Sequence, residues 1–171
     1  MTVPSSSDPP SPDPAFSHLD ASGRARMVDV SRKAVTRREA AAACRVRLAD
    51  NVVKRLDRMP KGDAVTVARI AGVQAAKRVD ALVPLAHTLP LDLIDIDIEP
   101  AIGGVEIRSR VVATARTGAE IEALTACAAA ALALYDMVKA VARDAEITDL
   151  RLLSKSGGQR GDYRRDDESS A

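Results

Sequence analysis

Residues 91–115, LDLIDIDIEPAIGGVEIRSRVVATA, contain the clearest structural signal in this chain of 171 residues. Apolar and acidic residues alternate strictly over 91–100, which is typical of a half-buried β-strand. The pair Gly103-Gly104 predicts a hairpin turn into a second alternating strand. An acidic row can bind a divalent metal, but carboxylates spaced i,i+2 are more often a solvated strand face. The basic side chains expected to face this row across the hairpin are Arg108 and Arg110.

Two long helices are predicted on either side of the hairpin. Residues 120–142, EIEALTACAAAALALYDMVKAVA, lack Gly and Pro and are rich in the strong helix formers Ala and Leu. Residues 63–81 also follow helical spacing, and Gly72 within them costs about 1 kcal/mol relative to Ala, which indicates a close contact. Core stripes are predicted at Ile121, Leu124, Ala128, Ala131, Leu132, Tyr135, Val138 and Ala142, and at Val67, Ile70, Ala71, Gln74, Ala75, Arg78 and Leu82.

The remaining segments complete an α+β pattern. A short strand is predicted at 25–30 and a last strand at 146–153, because apolar residues alternate in both. A short amphipathic helix is predicted at 51–58. The run 36–48 stays ambiguous, since its Ala content favours a helix whereas its end alternates like a strand. The helices would cover one face of a mainly antiparallel sheet.

Composition divides the chain into a leader, one domain and a tail. Residues 1–15 are rich in Pro and Ser, and they are predicted to be disordered because they offer little apolar surface to bury. Residues 16–165 are expected to form a single domain, which fits the usual domain size. Residues 166–171 are expected to be a disordered tail.

The overall composition indicates a globular protein with no strong electrostatic attraction for nucleic acid or membranes. Hydrophobic residues make up 46%, charged residues 29%, and the formal net charge is +1. Cys44 and Cys127 stand apart from any CxxC pair and are interpreted as buried thiols in a reducing compartment. The sequence shows no Cys/His cluster for zinc and no signal-peptide pattern, and the apolar run before Asp136 is judged too short for a bilayer. A cytoplasmic location is therefore expected.

Side chains that could do chemistry each have an ordinary structural explanation as well. Asp136 and Lys139 are i,i+3 neighbours above small side chains, but a surface salt bridge explains such a pair more often. Asp29 could end a strand and cap a turn. Lys61 could simply be solvated in its turn before a helix. His87, in a loop bracketed by prolines, could be a packing residue or a proton donor or phosphate ligand.

The Ser/Gly/basic run 154–165 offers backbone N–H groups and cations and could cradle a phosphate. It is not a Walker loop, since GxxxxGK[ST] is absent. RNA binding through its arginines is disfavoured, because aromatic stacking residues and a basic face are lacking. The arginines in question are Arg160, Arg164 and Arg165.

Eight segments, in order along the chain, resemble one known family. They are MVDVS (27–31), TRREA (36–40), KGD (61–63), ARIAGVQAAKR (68–78), LVPLAHTLPL (82–91), GAEIEALTA (118–126), LYDMVKAV (134–141) and LLSKSGG (152–158). Together they are similar to the cyclic pyranopterin monophosphate synthases, the molybdenum cofactor biosynthesis protein C family. The resemblance covers about residues 16–164.

The resemblance implies a ferredoxin-like α+β fold, in which 38–48 is a strand, and a homohexamer built as a trimer of dimers. The implied reaction converts 3′,8-cyclo-7,8-dihydroguanosine 5′-triphosphate to cyclic pyranopterin monophosphate with release of pyrophosphate. A radical S-adenosylmethionine enzyme would supply this GTP-derived substrate. No cofactor and no metal are implied.

Functional residues of the family fall on matching positions of this sequence. The residues expected to be catalytic are Lys61, Asp136 and Lys139, with a lysine of lowered pKa as acid or base. The residues expected to bind substrate are Asp29, Arg38, Lys77, His87, Glu120, Glu122 and Lys155. The cations among them suit a triphosphate, and the two glutamates suit the N–H edge of guanine.

The chain departs from the family pattern at two places. Ala86 replaces the usual Cys before the loop histidine, which affects only packing. Gln159 replaces a usual Lys, although Arg160 follows it. The first alternative is therefore a catalytically weakened, nucleotide-binding paralogue. The second is a structural oligomer in which charges of the 120–142 helix serve assembly.

Overall fold

A computed structural model describes residues 22–158 and 161–166. Its strands are β1 (Thr36–Arg47), β2 (Leu91–Ala101), β3 (Gly104–Ala115), β4 (Glu146–Ser156) and β5 (Tyr163–Arg164). Its helices are α1 (Asp50–Val53), α2 (Ala64–Ala76), α3 (Val79–Leu82) and α4 (Glu120–Val138), with a 3-10 turn at Leu56–Arg58. The predicted leader at 1–15, Gln159, Arg160 and residues 167–171 of the predicted tail lie outside the described residues, so the predicted domain boundaries remain predictions.

The strands form one antiparallel sheet in the order β2-β3-β1-β4-β5. The chain passes from β1 through the helices to β2, and β3 is inserted between these two strands. Helices α2 and α4 pack on one face, where Ala40, Ala42, Cys44 and Val46 of β1 are fully buried. This arrangement is the ferredoxin-like α+β fold, and the predicted fold class is confirmed.

The hairpin and its register are as predicted. Asp95 lies opposite Arg110 and Asp97 lies opposite Arg108. The tight turn uses Gly103, which has a φ of 75°. On the same open face of the sheet, Arg108 forms an ion pair with Glu106 and Arg110 forms one with Glu39. The acidic row is thus part of a charged strand surface.

Several boundaries differ from the predicted ones. The ambiguous run is the central strand β1, as the family resemblance implied. The strand expected at 25–30 is wrong, because only Ala25 makes an isolated bridge. The helix expected over 63–81 is interrupted after Ala76, and the last helix ends at Val138 instead of 142. Strand β4 extends to Ser156, so the start of the expected phosphate loop is strand.

The core stripe predicted for α2 is wrong, whereas the one predicted for 120–142 is confirmed in part, since Ala131, Val138 and Ala142 are buried. Val67 and Ile70 of α2 are 40% and 53% exposed, and Leu132 of α4 is 62% exposed. Small residues face inward in their place, because they let each helix approach its neighbours closely. The buried positions are Ala64, Ala68, Gly72 and Ala76 on α2, and Glu122, Ala123, Ala126, Cys127, Ala130, Ala131, Leu134, Met137 and Val138 on α4.

The contact between α2 and α4 is centred on Gly72. A methyl group at this position would lie 2.8 Å from the carbonyl oxygen of Ala126 and 3.3 Å from Cβ of Ala130, and it would also meet Cδ1 of Ile96. The close contact expected from the sequence is therefore confirmed. Ala126 and Ala130 of α4 therefore form the surface against which α2 packs.

By length and composition, α4 could cross a membrane, contrary to the expectation that its apolar run is too short. About half of it is buried inside the fold, at 50% of the most apolar window. That burial is typical of the core helix of a globular domain.

The Gly72→Ala substitution should destabilise the fold. The added methyl group has a fixed backbone oxygen in its way, and overpacking costs about 1–3 kcal/mol, against a gain in helix propensity of about 1 kcal/mol. We expect a net loss of about 1 kcal/mol or more in the free energy of unfolding, measured with urea. Ile70→Ala, on the exposed side of the same helix, is the control. Equal stability of the Gly72→Ala variant and the wild type would contradict the close packing.

Candidate functional site

The three residues predicted to be catalytic meet at the end of α4. Lys61 Nζ lies 2.7 Å from Asp136 Oδ2 and donates a second hydrogen bond, of 3.1 Å, to the backbone oxygen of Asp136. Lys139 Nζ lies 2.7 Å from the other carboxylate oxygen, Oδ1. One carboxylate therefore holds two ammonium groups. We call Lys61, Asp136 and Lys139 the end triad.

The turn before α2 delivers Lys61 to this position. Met59 and Gly62 exchange two backbone hydrogen bonds, of 3.1 Å and 2.8 Å, and Gly62 adopts a φ of 106° that suits glycine. Asp63 then caps α2 by accepting from the N–H groups of Val65 and Thr66. Lys61 is thus fixed beside the start of a helix and forms an ion pair. The alternative explanation, a lysine that is simply solvated in its turn, does not describe it.

The electrostatics of the end triad correct one expectation. Hydrogen bonds from Lys139 and Lys61 lower the pKa of Asp136 to about 2, so the carboxylate is ionised at neutral pH. The hydrogen bond to Asp136 raises the pKa of Lys139. The lowered pKa expected of a catalytic lysine is therefore wrong for Lys139 in the single chain, where it is a cation. Such a group can donate a proton or stabilise negative charge.

At the other end of α4, Arg38 and Lys155 supply cations on the helix-covered face of the sheet. Arg38 is 7% exposed, and its Nε and Nη2 donate to the carbonyl oxygens of Ala115 and Arg116, at 3.4 Å and 3.3 Å. Both partners are neutral, so the positive charge of Arg38 is not cancelled by them. Lys155 lies opposite Ala40, two residues beyond Arg38, so both side chains emerge at the same end of the sheet.

The two glutamates in the first turn of α4 have different environments. Glu120 is partly exposed, and its Oε1 lies 3.1 Å from Lys155 Nζ. Glu122 is only 4% exposed. Burial raises its pKa to about 7, with smaller contributions from the negative charges of Glu120 and Asp80. At neutral pH the carboxyl group of Glu122 therefore exists in both protonation states and can donate as well as accept a hydrogen bond.

His87 fixes the loop after α3 to the segment that contains Asp29. Its Nε2 lies 2.9 Å from the carbonyl oxygen of Val28. Since a carbonyl can only accept, Nε2 carries the proton and Nδ1 remains for another partner. Asp29 accepts a 2.8 Å hydrogen bond from the Ser31 N–H, which lowers its pKa, so the turn-capping explanation of Asp29 holds in this chain.

Lys77 belongs to the same end of α4. Lys61, just before α2, contacts Asp136 near the C-terminal end of α4, whereas Gly72, further along α2, lies beside Ala126 and Ala130. Helix α2 therefore runs antiparallel to α4. Lys77, at the end of α2, is therefore directed toward the start of α4, and it is exposed. We call Asp29, Arg38, Lys77, His87, Glu120, Glu122 and Lys155 the start cluster.

Two side chains that the sequence analysis did not single out lie beside the start cluster. Thr88 donates a 2.7 Å hydrogen bond to Asp80, whose negative charge contributes to the raised pKa of Glu122. An Asp in the first turn of a short helix is common, so no feature of the sequence indicates this role. Within residues 22–158 and 161–166, the structure shows no group of three or more His, Cys, Asp or Glu side chains that could hold a metal ion.

The two groups of residues are separated by the length of α4. Glu120 and Asp136 are roughly 24 Å apart along the helix axis, at about 1.5 Å per residue. The structure thus brings together each of the two predicted sets, catalytic and substrate-binding, but it does not bring the sets to each other within one chain. A substrate seated in the start cluster cannot reach the end triad of the same chain.

Comparison with known proteins identifies the family. The MoaC family matches residues 27–158, a range that includes the start cluster and the end triad. The chain belongs to the MoaC family. Gln159 and Arg160 lie just beyond the matched residues.

Three relatives, each named cyclic pyranopterin monophosphate synthase, are similar to most of the chain. A cyclic pyranopterin monophosphate synthase of Streptomyces avermitilis is 49% identical over 170 residues, which cover 96% of this chain and 99% of the relative. The synthase of Streptomyces griseus is 50% identical over 152 residues (88% and 86%). That of Chloroflexus aggregans is 48% identical over 158 residues (90% and 96%).

The buried Glu122 predicts a pH dependence of stability. Its folded pKa, about 7, lies above the ordinary 4.5, so the neutral carboxyl favours the folded state. This contribution is complete below pH 4.5 and is lost as the pH rises to about 7. Relative to Glu122→Gln, the wild type should lose up to about 1.4 kcal/mol of unfolding free energy per pH unit in this window.

Urea unfolding of both proteins between pH 4 and pH 8 checks this prediction. Glu99→Gln, at an exposed position on β2, controls for the loss of one ionisable group. A constant stability difference between wild type and Glu122→Gln over the window would show that Glu122 is not held in its neutral form.

Proposed function

We propose that this chain is a cyclic pyranopterin monophosphate synthase of molybdenum cofactor biosynthesis. It converts 3′,8-cyclo-7,8-dihydroguanosine 5′-triphosphate to cyclic pyranopterin monophosphate and releases pyrophosphate. The observation that supports it most strongly is the pairing of a cation-rich cluster around a buried carboxyl with a separate Lys–Asp–Lys triad. The names of the relatives from Streptomyces and Chloroflexus support the same activity.

The start cluster binds the substrate in this proposal. Arg38 and Lys155 converge at one end of the sheet, Lys77 adds a further cation, and His87 in its protonated form donates from Nδ1 to a phosphate oxygen. Lys155 exchanges its ion pair with Glu120 for a phosphate oxygen. The carboxyl groups of Glu120 and Glu122 then bind the amino-pyrimidine edge of guanine.

The end triad carries out proton transfers. Opening and reclosing the purine ring moves protons on nitrogen and oxygen, and forming the cyclic phosphate removes a proton from the attacking hydroxyl. The new P–O bond forms at the α-phosphorus while the bond to the β-phosphate breaks and pyrophosphate leaves. Lys139 donates a proton or stabilises the charge that develops, and Lys61 is the second acid–base group. The ionised Asp136 orients both ammonium groups.

One complete site requires two copies of the chain. Because the length of α4 separates the start cluster from the end triad, the site combines the start cluster of one copy with the end triad of another. Apolar side chains on the outer side of α4 offer surface for such contacts, since Ile121 is 41% exposed and Leu132 is 62% exposed. A twofold dimer would complete two equivalent sites.

The family resemblance supplies the rest of the proposal. The dimers assemble as a homohexamer, a trimer of dimers, and a radical S-adenosylmethionine enzyme supplies the substrate. The reaction needs no cofactor. A cytoplasmic location agrees with the free, buried thiols of Cys44 and Cys127, which suit a reducing compartment.

Turnover of the cyclised guanosine triphosphate tests the activity directly. The purified protein should form pyrophosphate and the cyclic pterin in equal amounts. Lys139→Ala should lower kcat about 100-fold or more, because an acid–base group is removed, while light scattering shows an intact oligomer. Lys54→Ala, on an exposed lysine after α1, is the control.

Two outcomes would contradict the proposed activity. Tight binding of the triphosphate by the wild type without product would favour the weakened paralogue. Unchanged turnover by Lys139→Ala together with a dissociated oligomer would assign the α4 charges to assembly.

Mixing two inactive variants tests whether sites are shared. We combine Lys139→Ala with Lys155→Ala by co-expression and assay below the KM for the triphosphate. If each site uses two chains, mixed dimers contain one intact site, and random pairing should restore about a quarter of wild-type activity. Activity no higher than the sum of the two parents would place the complete site within one chain.

A further inference from the structure

The loop after α3 is held by one carboxylate that also affects Glu122. Asp80 uses both of its oxygens locally: Oδ1 accepts from the Ala81 N–H at 3.0 Å, and Oδ2 accepts from the Thr88 hydroxyl at 2.7 Å. The second bond closes the loop 80–88 and fixes the residue next to His87. Both partners are neutral groups, so neither cancels the negative charge of Asp80.

The same loop has few other restraints. Residues 83–90 form no helix or strand. A backbone hydrogen bond from the Ala86 N–H to the Val83 oxygen, of 3.0 Å, forms one turn, and His87 contacts the Val28 carbonyl. The Thr88 hydroxyl therefore supplies a restraint between the loop and α3 at the position where His87 leaves the loop.

The charge of Asp80 acts on α4 at the same time. Helix α3 contacts α4, and the negative charges of Glu120 and Asp80 both raise the pKa of Glu122. Glu120 lies on its own helix, Asp80 on α3, and Lys155 on β4, where it pairs with Glu120 and offsets that negative charge. Asp80 is the acid whose partners, a hydroxyl and a backbone N–H, leave its charge in place.

We propose that Asp80 and Thr88 are positioning residues of the proposed active site: their hydrogen bond ties the loop to α3 and fixes the placement of His87. The inference rests on the proposed synthase activity and deepens it. Neither residue touches the substrate. The carboxylate fixes the loop that presents His87 to the triphosphate, and its charge adds a small contribution to the effect of burial in raising the pKa of Glu122.

Two substitutions separate the two effects. Thr88→Val removes the hydroxyl but keeps the charge of Asp80. Asp80→Asn removes the charge but keeps an oxygen that can accept from Thr88. Thr88→Ser restores the hydroxyl and should rescue the first variant. Thr148→Val removes a Thr–Asp hydrogen bond of 3.1 Å at the opposite end of the molecule, at the start of β4, and is the matched control.

The measurements are kcat and KM for the cyclised guanosine triphosphate from pH 5 to pH 9, and the titration of Glu122 by NMR of ¹³C-labelled glutamate carboxyls, assigned with Glu122→Gln. Thr88→Val should raise KM about two- to tenfold, as expected for one lost hydrogen bond, with the Glu122 titration unchanged. Asp80→Asn should shift the Glu122 titration and the acidic limb of the kcat profile to lower pH, with a smaller effect on KM.

The proposal is overturned if Thr88→Val changes KM no more than Thr148→Val does, or if Thr88→Ser does not restore it. A wild-type protein without turnover would instead remove the proposed function. In that case triphosphate affinity replaces KM, and the NMR titration still decides the effect of Asp80.

Discussion

The close contact between α2 and α4 determines how Lys61 and Lys77 lie relative to the functional residues of α4. Gly72 allows the two helices to approach until its backbone lies against Ala126 and Ala130. The helices run antiparallel. This contact therefore places the turn before α2 at the C-terminal end of α4, and it places the C-terminal end of α2 near the N-terminal end of α4. Lys61 can therefore reach Asp136. A wider separation of the helices would remove that ion pair and shift the start cluster.

The two ends of α4 have opposite electrostatic designs. At the C-terminal end of α4, two lysines share the ionised carboxylate of Asp136, and all three side chains are about half exposed. At its start, the carboxyl of Glu122 is buried and its pKa is raised to about 7. Ion pairs at exposed positions contribute little to stability, and a buried carboxyl reduces it as the pH rises. Both arrangements are therefore better explained by chemistry than by folding.

The sequence predicted the elements better than it predicted their orientation. The alternation of 91–115 gave the hairpin and its register, because a strand with one buried face allows only one parity. The buried face of each helix was predicted from its large apolar residues. This prediction failed for Leu132 of α4, which faces outward. In an Ala-rich helix every face is apolar enough to be buried, so neighbouring Gly72 decides which one is.

The residues of the site could be predicted from the sequence, but their separation into two groups at opposite ends of α4 was not predicted. Family resemblance named both sets of residues, and local contacts confirm that Lys61, Asp136 and Lys139 meet. Their distance from Glu122 follows from the length of α4. Asp80 and Thr88 escaped notice because their hydrogen bond depends on the path of the loop between them.

The most direct measurement is a crystal structure of the Lys139→Ala variant with the cyclised guanosine triphosphate bound. We predict that one nucleotide contacts Lys155 and Glu122 of one chain and lies beside Lys61 and Asp136 of another. A nucleotide enclosed by residues of a single chain, or bound far from either group, would contradict a site shared between two copies.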